Sequence, residues 1–104
     1  MPELQVLQVR ERVMRGYRVK VRPLNVKVST VLYLTAEQAK DLPDADFYIV
    51  ELEGGVRIPA AAHRVNKNCI MLTLLSKKKV VKRVKKELQK RLRENVDAVV
   101  YPLD

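Results

Sequence analysis

Apolar and charged residues alternate along the N-terminal third of the chain, and this pattern limits the possible folds more than any other. The stretches LQVLQVRERVM and YRVKVRP change character at nearly every residue. Successive side chains of a β-strand point to opposite faces, so a period of two predicts strands with one buried and one solvent face. We expect a hairpin with a three-residue loop at Met14, Arg15 and Gly16, in which Gly16 takes the left-handed conformation.

The predicted hairpin has one apolar face and one basic face. Its register places Arg12 opposite Arg18 and Arg10 opposite Lys20, at a cost of about 0.2–1 kcal/mol for each like-charged pair. Stability alone does not favour that arrangement, so we interpret the basic face as a binding surface. The apolar face comprises Leu7, Val9, Val13, Tyr17, Val19 and Val21, and the basic face comprises Gln8, Arg10, Arg12, Arg18, Lys20 and Arg22.

Strand and helix patterns follow one another through the middle of the chain. Pro23 is expected to interrupt the second strand, after which NVKVSTVLYLT forms the next. Thr35 and Gln38 have the spacing of a capping box, which predicts a short helix over TAEQAKDL. The stretch DFYIVELEGGVRIP predicts a hairpin that turns at Gly54 and Gly55.

The C-terminal half predicts further strands around one helix. AAAHRVNKN fits one helical turn followed by a loop, and CIMLTLL fits either a buried strand or the start of the next helix. VDAVVYP predicts a closing strand, which would complete a right-handed βαβ unit. The expected fold is a small α+β domain, mainly antiparallel sheet, with one short helix and one long basic C-terminal helix.

The segment SKKKVVKRVKKELQKRLREN, residues 76–95, predicts that long helix. An apolar stripe of Val81, Val84, Leu88 and Leu92 would face the core. Each cation at a helix N-terminus costs about 0.3–1 kcal/mol through its interaction with the helix dipole. Lys77, Lys78 and the free backbone N–H groups at that end would together suit a phosphate. The alternative is an ordinary solvated helix face. The cationic face comprises Lys79, Lys82, Arg83, Lys86, Lys90 and Arg93.

The net charge of +9 is distributed unevenly. Residues 77–94 hold ten cations against two acids, and residues 10–27 hold seven against one. Residues 37–53 hold six acids against one cation. Two basic regions beside an acidic one favour a polyanionic partner such as nucleic acid. They also allow a protein-interaction or homo-oligomerisation module, in which the basic surfaces meet an acidic partner or the acidic segment of another copy.

A preference for single strands requires exposed aromatic rings on which bases stack. Tyr17, Tyr33 and Tyr48 are the candidates, although tyrosines at alternating positions more often belong to a core. No zinc-finger spacing, glycine-rich clamp or helix-turn-helix signal indicates sequence readout.

The pattern PDADFYIVELEGG loosely resembles the metal-binding motif of PD-(D/E)xK nucleases. Asp44 and Glu51 would hold a divalent metal, but Glu53 stands where that motif has lysine. The alternative places the two glutamates on the solvent side of a strand. His63 lacks neighbouring ligands, and Cys69 in its apolar run is expected to be buried. We therefore expect no enzyme activity, cofactor or metal, with a metal-dependent nuclease as a second alternative.

The chain shows neither an apolar stretch long enough for a membrane span nor the pattern of a secretory signal. Its single cysteine fits a reducing, cytoplasmic setting. A charged fraction of 32% is compatible with a thermophilic source.

The basic hairpin RERVMRGYRVKVR and the helix KKKVVKRVKKELQKRLREN resemble those of small archaeal single-stranded nucleic-acid-binding proteins of the ThermoDBP-related type. This resemblance implies an α+β domain that dimerises and binds single strands with little sequence preference. The expectation is thus one domain over residues 1–104, a homodimer that binds single-stranded DNA or RNA without catalysis.

Overall fold

Six antiparallel strands close into a barrel in the part of the chain that the structure describes. The structure is a computed structural model, and it describes residues 15–26, 29–66, 69–75 and 79–103. The mainly-sheet α+β class predicted from the sequence is confirmed. The strands are β1 (Tyr17–Val26), β2 (Ser29–Thr35), β3 (Phe47–Leu52), β4 (Arg57–Asn66), β5 (Cys69–Leu74) and β6 (Val96–Leu103), and the helices are α1 (Ala36–Ala39) and α2 (Lys79–Gln89).

The strand order around the barrel is β1-β2-β5-β4-β3-β6, and β6 pairs with β1 to close it. Strands β3, β4 and β5 follow one another as hairpins, while β6 returns beside β3 and β2 lies beside β5. Strands β3, β4, β5 and β6 form one Greek key and strands β2, β3, β4 and β5 form another, so the two keys share β3, β4 and β5. Closure removes the open edges through which sheets aggregate.

The predicted βαβ unit is wrong. Strands β5 and β6 are three positions apart in the barrel and, because every neighbouring pair is antiparallel, they run in opposite directions. The order strand, helix, strand is as predicted, but this order alone does not determine whether the two strands are neighbours. The helix α2 therefore crosses from one side of the barrel to the other.

The two helices cover opposite ends of the barrel. Helix α1 joins β2 to β3 and α2 joins β5 to β6, and each pair of strands lies across the barrel. Ala39 and Leu42 at one end, and Leu88 at the other, belong to the same buried cluster as the strand interiors. The core is therefore closed by apolar side chains at both ends.

Alternation along the strands fills the barrel interior. Leu32 and Leu72 are fully buried, as are Val21, Val50 and Val100 from three further strands. Apart from the buried Val31, the residues that flank them in sequence are half-buried or exposed, as expected for a pleated strand. This is the physical outcome of the period-two pattern in the sequence.

Strand β1 continues through Pro23 without the interruption that the sequence predicted. The strand pairs with β6 from Tyr17 to Val21 and with β2 from Arg22 to Val26, so Pro23 stands where one partner replaces the other. A proline removes one ladder hydrogen bond, which matters least where the pairing changes.

Gly16 is not in the left-handed conformation expected of a hairpin loop, since only Gly54 and Gly55 among the described glycines have positive φ. A Cβ at Gly16 would lie 2.6 Å from Tyr101 Cε2 and 2.7 Å from Val99 Cγ1. Close packing against β6 is thus what requires glycine. The first strand of the predicted hairpin lies outside the described residues.

The remaining local predictions have mixed outcomes. The turn at Gly54 and Gly55 and the closing strand β6 are confirmed, and of the two alternatives for CIMLTLL the strand forms, over Cys69–Leu74. The helical turn predicted for AAAHRVNKN is wrong, because these residues extend β4 to Asn66. Helix α1 follows Thr35 as predicted, but the Thr35 side chain makes no capping hydrogen bond. Gln38 Oε1 instead accepts a hydrogen bond from the Lys20 N–H, at 2.9 Å.

The long basic helix is shorter than predicted. Helix α2 ends at Gln89, and Lys90, Arg91 and Glu94 form tight turns through bonds to the carbonyl three residues earlier. Arg93 has a positive φ of 67°, which no helix continues through. Of the predicted apolar stripe, Leu88 is buried, whereas Leu92 beyond the helix end is 38% exposed.

Candidate nucleic-acid interface

The outer face of β1 is basic. Arg18, Lys20 and Arg22 are exposed, while Val19 and Val21 between them are buried in the core. The alternation predicted from the sequence is confirmed over this strand. Arg10 and Arg12, which were assigned to the same surface, lie outside the described residues.

Helix α2 presents a second row of cations. Lys79, Lys82, Arg83 and Lys86 are exposed, and the first turn contains no acid. Lys77 and Lys78 lie outside the described residues. The remaining two predicted site residues, Lys90 and Arg93, are exposed in the turns after the helix rather than on its face.

The two basic regions meet at the middle of β1. Arg22 Nε donates to Asn95 Oδ1 at 3.0 Å, and the Arg93 N–H donates to the Pro23 carbonyl at 3.0 Å. The turns that follow α2 are thereby fixed against the strand. Sequence analysis could not predict this adjacency, because 69 residues or more separate the partners in each contact. We name the combined set the basic surface: Arg18, Lys20, Arg22, Lys79, Lys82, Arg83, Lys86, Lys90 and Arg93.

Most cations of the basic surface form no ion pair with another described residue. Among the described residues, only Lys90 of this set pairs with a carboxylate, at 3.5 Å from Nζ to Glu87 Oε1. Outside this surface, Arg57 pairs with Glu51 at 2.7 Å, Arg64 pairs with Asp44, and Arg91 lies near Glu53 and Glu94, whereas Arg15, Lys40 and Lys85 form no ion pair among the described residues. The charge available to an external anion is therefore concentrated on the basic surface.

Carboxylates near one end of the basic surface lower its positive potential there. Lys20 lies directly opposite Asp97 on β6, and both side chains are exposed. Arg18 lines a surface cavity of about 410 Å³ together with Glu51, Glu53 and Asp97. Glu53 also lines a second cavity, with Arg83, Glu87 and Arg91. The strongest positive potential is thus expected at Arg22, Lys79, Lys82 and Lys86, which line neither cavity.

No protein-family model, curated protein or solved structure matches the chain. Among the described residues, no helix has the length and apolar character needed to cross a membrane.

The three candidate stacking tyrosines differ in their surroundings. Tyr48 is 1% exposed and its hydroxyl donates to the Pro43 carbonyl at 2.5 Å, so its assignment as a stacking residue is wrong. Tyr17 is half-buried, with the Arg15 guanidinium 5.6 Å from its ring centre. Tyr33 is half-buried on the outer face of β2, directly opposite Arg22 of the basic surface.

Phe47 is an exposed aromatic residue that sequence analysis did not single out. Its side chain is 49% exposed at the start of β3, while Tyr48 and Val50 point inward. The signal was present in the alternation DFYIVEL, since a Tyr48 that faces the core places Phe47 outside.

The acids of the nuclease-like pattern each pair with a different arginine. Arg57 binds Glu51, Arg64 binds Asp44, and the Arg91 and Glu53 side chains approach to 3.7 Å. The hydrogen bond from Arg57 holds the pKa of Glu51 below its ordinary value, and Tyr101 donates to the same carboxylate at 3.3 Å. Among the described residues, no group of three or more acidic, His or Cys side chains is placed to hold a metal ion. Cys69 is buried, as expected.

Proposed function

We propose that this protein binds nucleic acid without catalysis, through phosphate contacts from the basic surface, and that single strands of DNA or RNA are its preferred form. The observation that supports this proposal most directly is the junction of β1 and the turns after α2. It brings the exposed cations of β1 beside those that follow α2, and among the described residues Lys90 is the one cation of the basic surface with a carboxylate partner. Phosphate contacts of this kind give affinity without sequence preference.

The test is fluorescence anisotropy with labelled single-stranded DNA, duplex DNA and RNA of equal length, each at low and high salt. We expect micromolar or tighter binding that weakens steeply as salt rises, because each neutralised phosphate of a single strand adds about 0.7 to the logarithmic slope. No detectable binding to any of the three at low salt would refute the proposal.

A pair of triple variants locates the surface. Replacing Lys79, Lys82 and Lys86 by Ala is expected to weaken binding and to flatten the salt slope, because these cations have no ion-pair partners among the described residues. The matched control replaces Lys40, Arg57 and Arg64 by Ala, which removes the same charge from residues outside helix α2. Equal losses in both variants would show that only net charge matters and that α2 is not the contact surface.

A second candidate function, self-association, is favoured by an uncharged patch on the outside of β3, β4 and β5. Directly paired or adjacent outward positions there hold Phe47, Ile49, Pro59, Ala61 and Leu75. Phe47 is 49% exposed and Leu75 is 48% exposed. Contiguous exposed apolar surface typically marks an interaction site.

The occupant we propose for this patch is a second copy of the chain. Two molecules of charge +9 repel each other, and this patch allows contact without placing cations face to face. Strand β4 lies across the barrel from β1, so a dimer formed here would leave the β1 part of each basic surface outside the interface.

Sedimentation velocity tests the dimer. The wild type is expected to sediment as a dimer, and F47R is expected to sediment as a monomer. The control V65R changes an equally exposed apolar residue, 49%, at the far end of β4 and should leave the dimer intact. A monomeric wild type at high protein concentration would refute this second function without affecting nucleic-acid binding.

A further inference from the structure

A row of four residues crosses the outside of the barrel next to the basic surface. The strand registers place Arg22 of β1 opposite Tyr33 of β2, Tyr33 opposite Met71 of β5, and Met71 opposite His63 of β4. The inward neighbours on these strands, such as Leu32 and Leu72, are fully buried, so the row lies on the outer face. Four adjacent strands extend the row over about 14 Å.

Tyr33 is the aromatic centre of this row. Its ring is half-exposed, and a hydrogen bond with the buried Cys69 thiol raises the pKa of its hydroxyl. Arg22, which lies opposite Tyr33 on β1, acts in the other direction and lowers the same pKa.

The chemistry of the row suits nucleobases. A phenol ring stacks on a base, a guanidinium stacks or donates to it, and the thioether of Met71 makes favourable contacts with aromatic rings. His63 at the end of the row is exposed and offers a second flat ring. The row itself contains no carboxylate to repel a phosphate chain.

The row also begins where β1 contacts the turns that follow α2. Arg22 is its first member, and the contacts of Arg22 with Asn95 and of Arg93 with Pro23 join it to the cations after α2. A strand whose phosphates follow α2 and the turns after it could therefore direct its bases along β2, β5 and β4.

We propose that Arg22, Tyr33, Met71 and His63 form a base-stacking track for single-stranded nucleic acid. This inference rests on the proposed function and extends it, since it assigns the unpaired bases, and not only the phosphates, to named side chains. Paired bases in a duplex cannot present their faces to the track, so it accounts for a preference for single strands.

The test compares a labelled oligothymidylate with an abasic strand of the same length and the same phosphates. Wild-type protein is expected to bind the base-containing strand about five- to one-hundred-fold more tightly, the range for stacking of one base on an aromatic ring. Y33L is expected to bring this ratio close to one, while its salt slope remains that of the wild type. Y33F keeps the ring and is expected to keep the ratio.

Two controls separate the track from other effects. Y101L removes another half-buried tyrosine, on β6, and should leave the ratio unchanged. The Lys79, Lys82 and Lys86 triple Ala variant should weaken binding of both strands alike. Thermal unfolding of Y33L confirms that the barrel is retained.

The outcomes distinguish the track from the proposed function. If wild-type protein binds both strands equally, or Y33L retains the ratio, the track is refuted while phosphate binding stands. If neither strand binds at low salt, the proposed function and the track are both refuted.

Discussion

At the scale of single residues, Gly16 illustrates how a neighbouring strand can require a glycine. A Cβ at this position would stand 2.6 Å from Tyr101 and 2.7 Å from Val99. We expect G16A to lower the free energy of unfolding by about 1–3 kcal/mol, the usual cost of overpacking. Urea unfolding followed by circular dichroism measures it.

The control for Gly16 is V99A, alone and combined with G16A. Removing the Val99 methyl groups makes room for the new Cβ, so the double variant should lose less stability than the two single losses added together. Strictly additive losses would show that Gly16 is required for another reason.

Glu51 predicts a pH dependence of stability. Arg57 lowers the pKa of Glu51 in the folded state, so folding favours the carboxylate form. Its stabilising contribution is complete above the ordinary pKa of 4.5 and is lost as the pH falls through the lower folded value. E51Q should therefore lose less stability than the wild type between neutral and acidic pH in urea titrations. E37Q, which removes an exposed carboxylate outside the described ion pairs, should match the wild-type dependence.

At the scale of elements, patterns of burial were predictable and element ends were not. The alternation over Tyr17–Arg22 and the burial of Leu88 followed from periodicity. The end of α2 did not, because the left-handed residue there is Arg93 rather than a glycine, and a contact with Pro23 fixes it. Likewise AAAHRVN has helix-favouring alanines, but pairing with β3 and β5 on both sides makes it a strand.

The helix end can be tested with two leucines that a continuous helix would place on one face. L88A should destabilise the protein by about 2–5 kcal/mol, because Leu88 belongs to the buried cluster. L92A should cost less than about 0.5 kcal/mol, since Leu92 is 38% exposed. Comparable losses in thermal unfolding would indicate that the helix continues to Leu92.

Substitutions at Arg93 can separate the effect of its backbone conformation from the effect of its charge. R93G should raise the stability by up to about 1 kcal/mol, because glycine adopts a positive φ without the steric cost borne by arginine. R93A removes the same charge but keeps a Cβ at the positive φ, so it should not be more stable than the wild type. Both variants should weaken nucleic-acid binding to the same extent, which anisotropy measures; a loss confined to one of them would contradict a purely electrostatic role.

At the scale of the whole molecule, the sequence predicted the charges of the site but not their assembly. Arg18, Lys20 and Arg22 were placed on an outward face, and the cations of α2 were identified as exposed. Their adjacency depends on barrel closure and on α2 crossing the barrel end, both of which depend on strand order. Strand order is decided by non-local pairing, for which a local pattern holds no signal.

Crowding of unpaired cations predicts that salt stabilises the folded chain even without a ligand. Raising the ionic strength from about 0.01 M to about 0.15 M shortens the Debye length from about 30 Å to about 8 Å and screens this repulsion. The exposed ion pairs are also screened, but each is worth only about 0–1 kcal/mol. With a net charge of +9, relief of repulsion should prevail, and the melting temperature should rise by several degrees in sodium chloride.

The Lys79, Lys82 and Lys86 triple Ala variant should show a smaller rise than the control that lacks Lys40, Arg57 and Arg64, because the control retains the crowded cations. A melting temperature that falls with salt would mean that the ion pairs outweigh the repulsion, and that the basic surface imposes no cost on the fold.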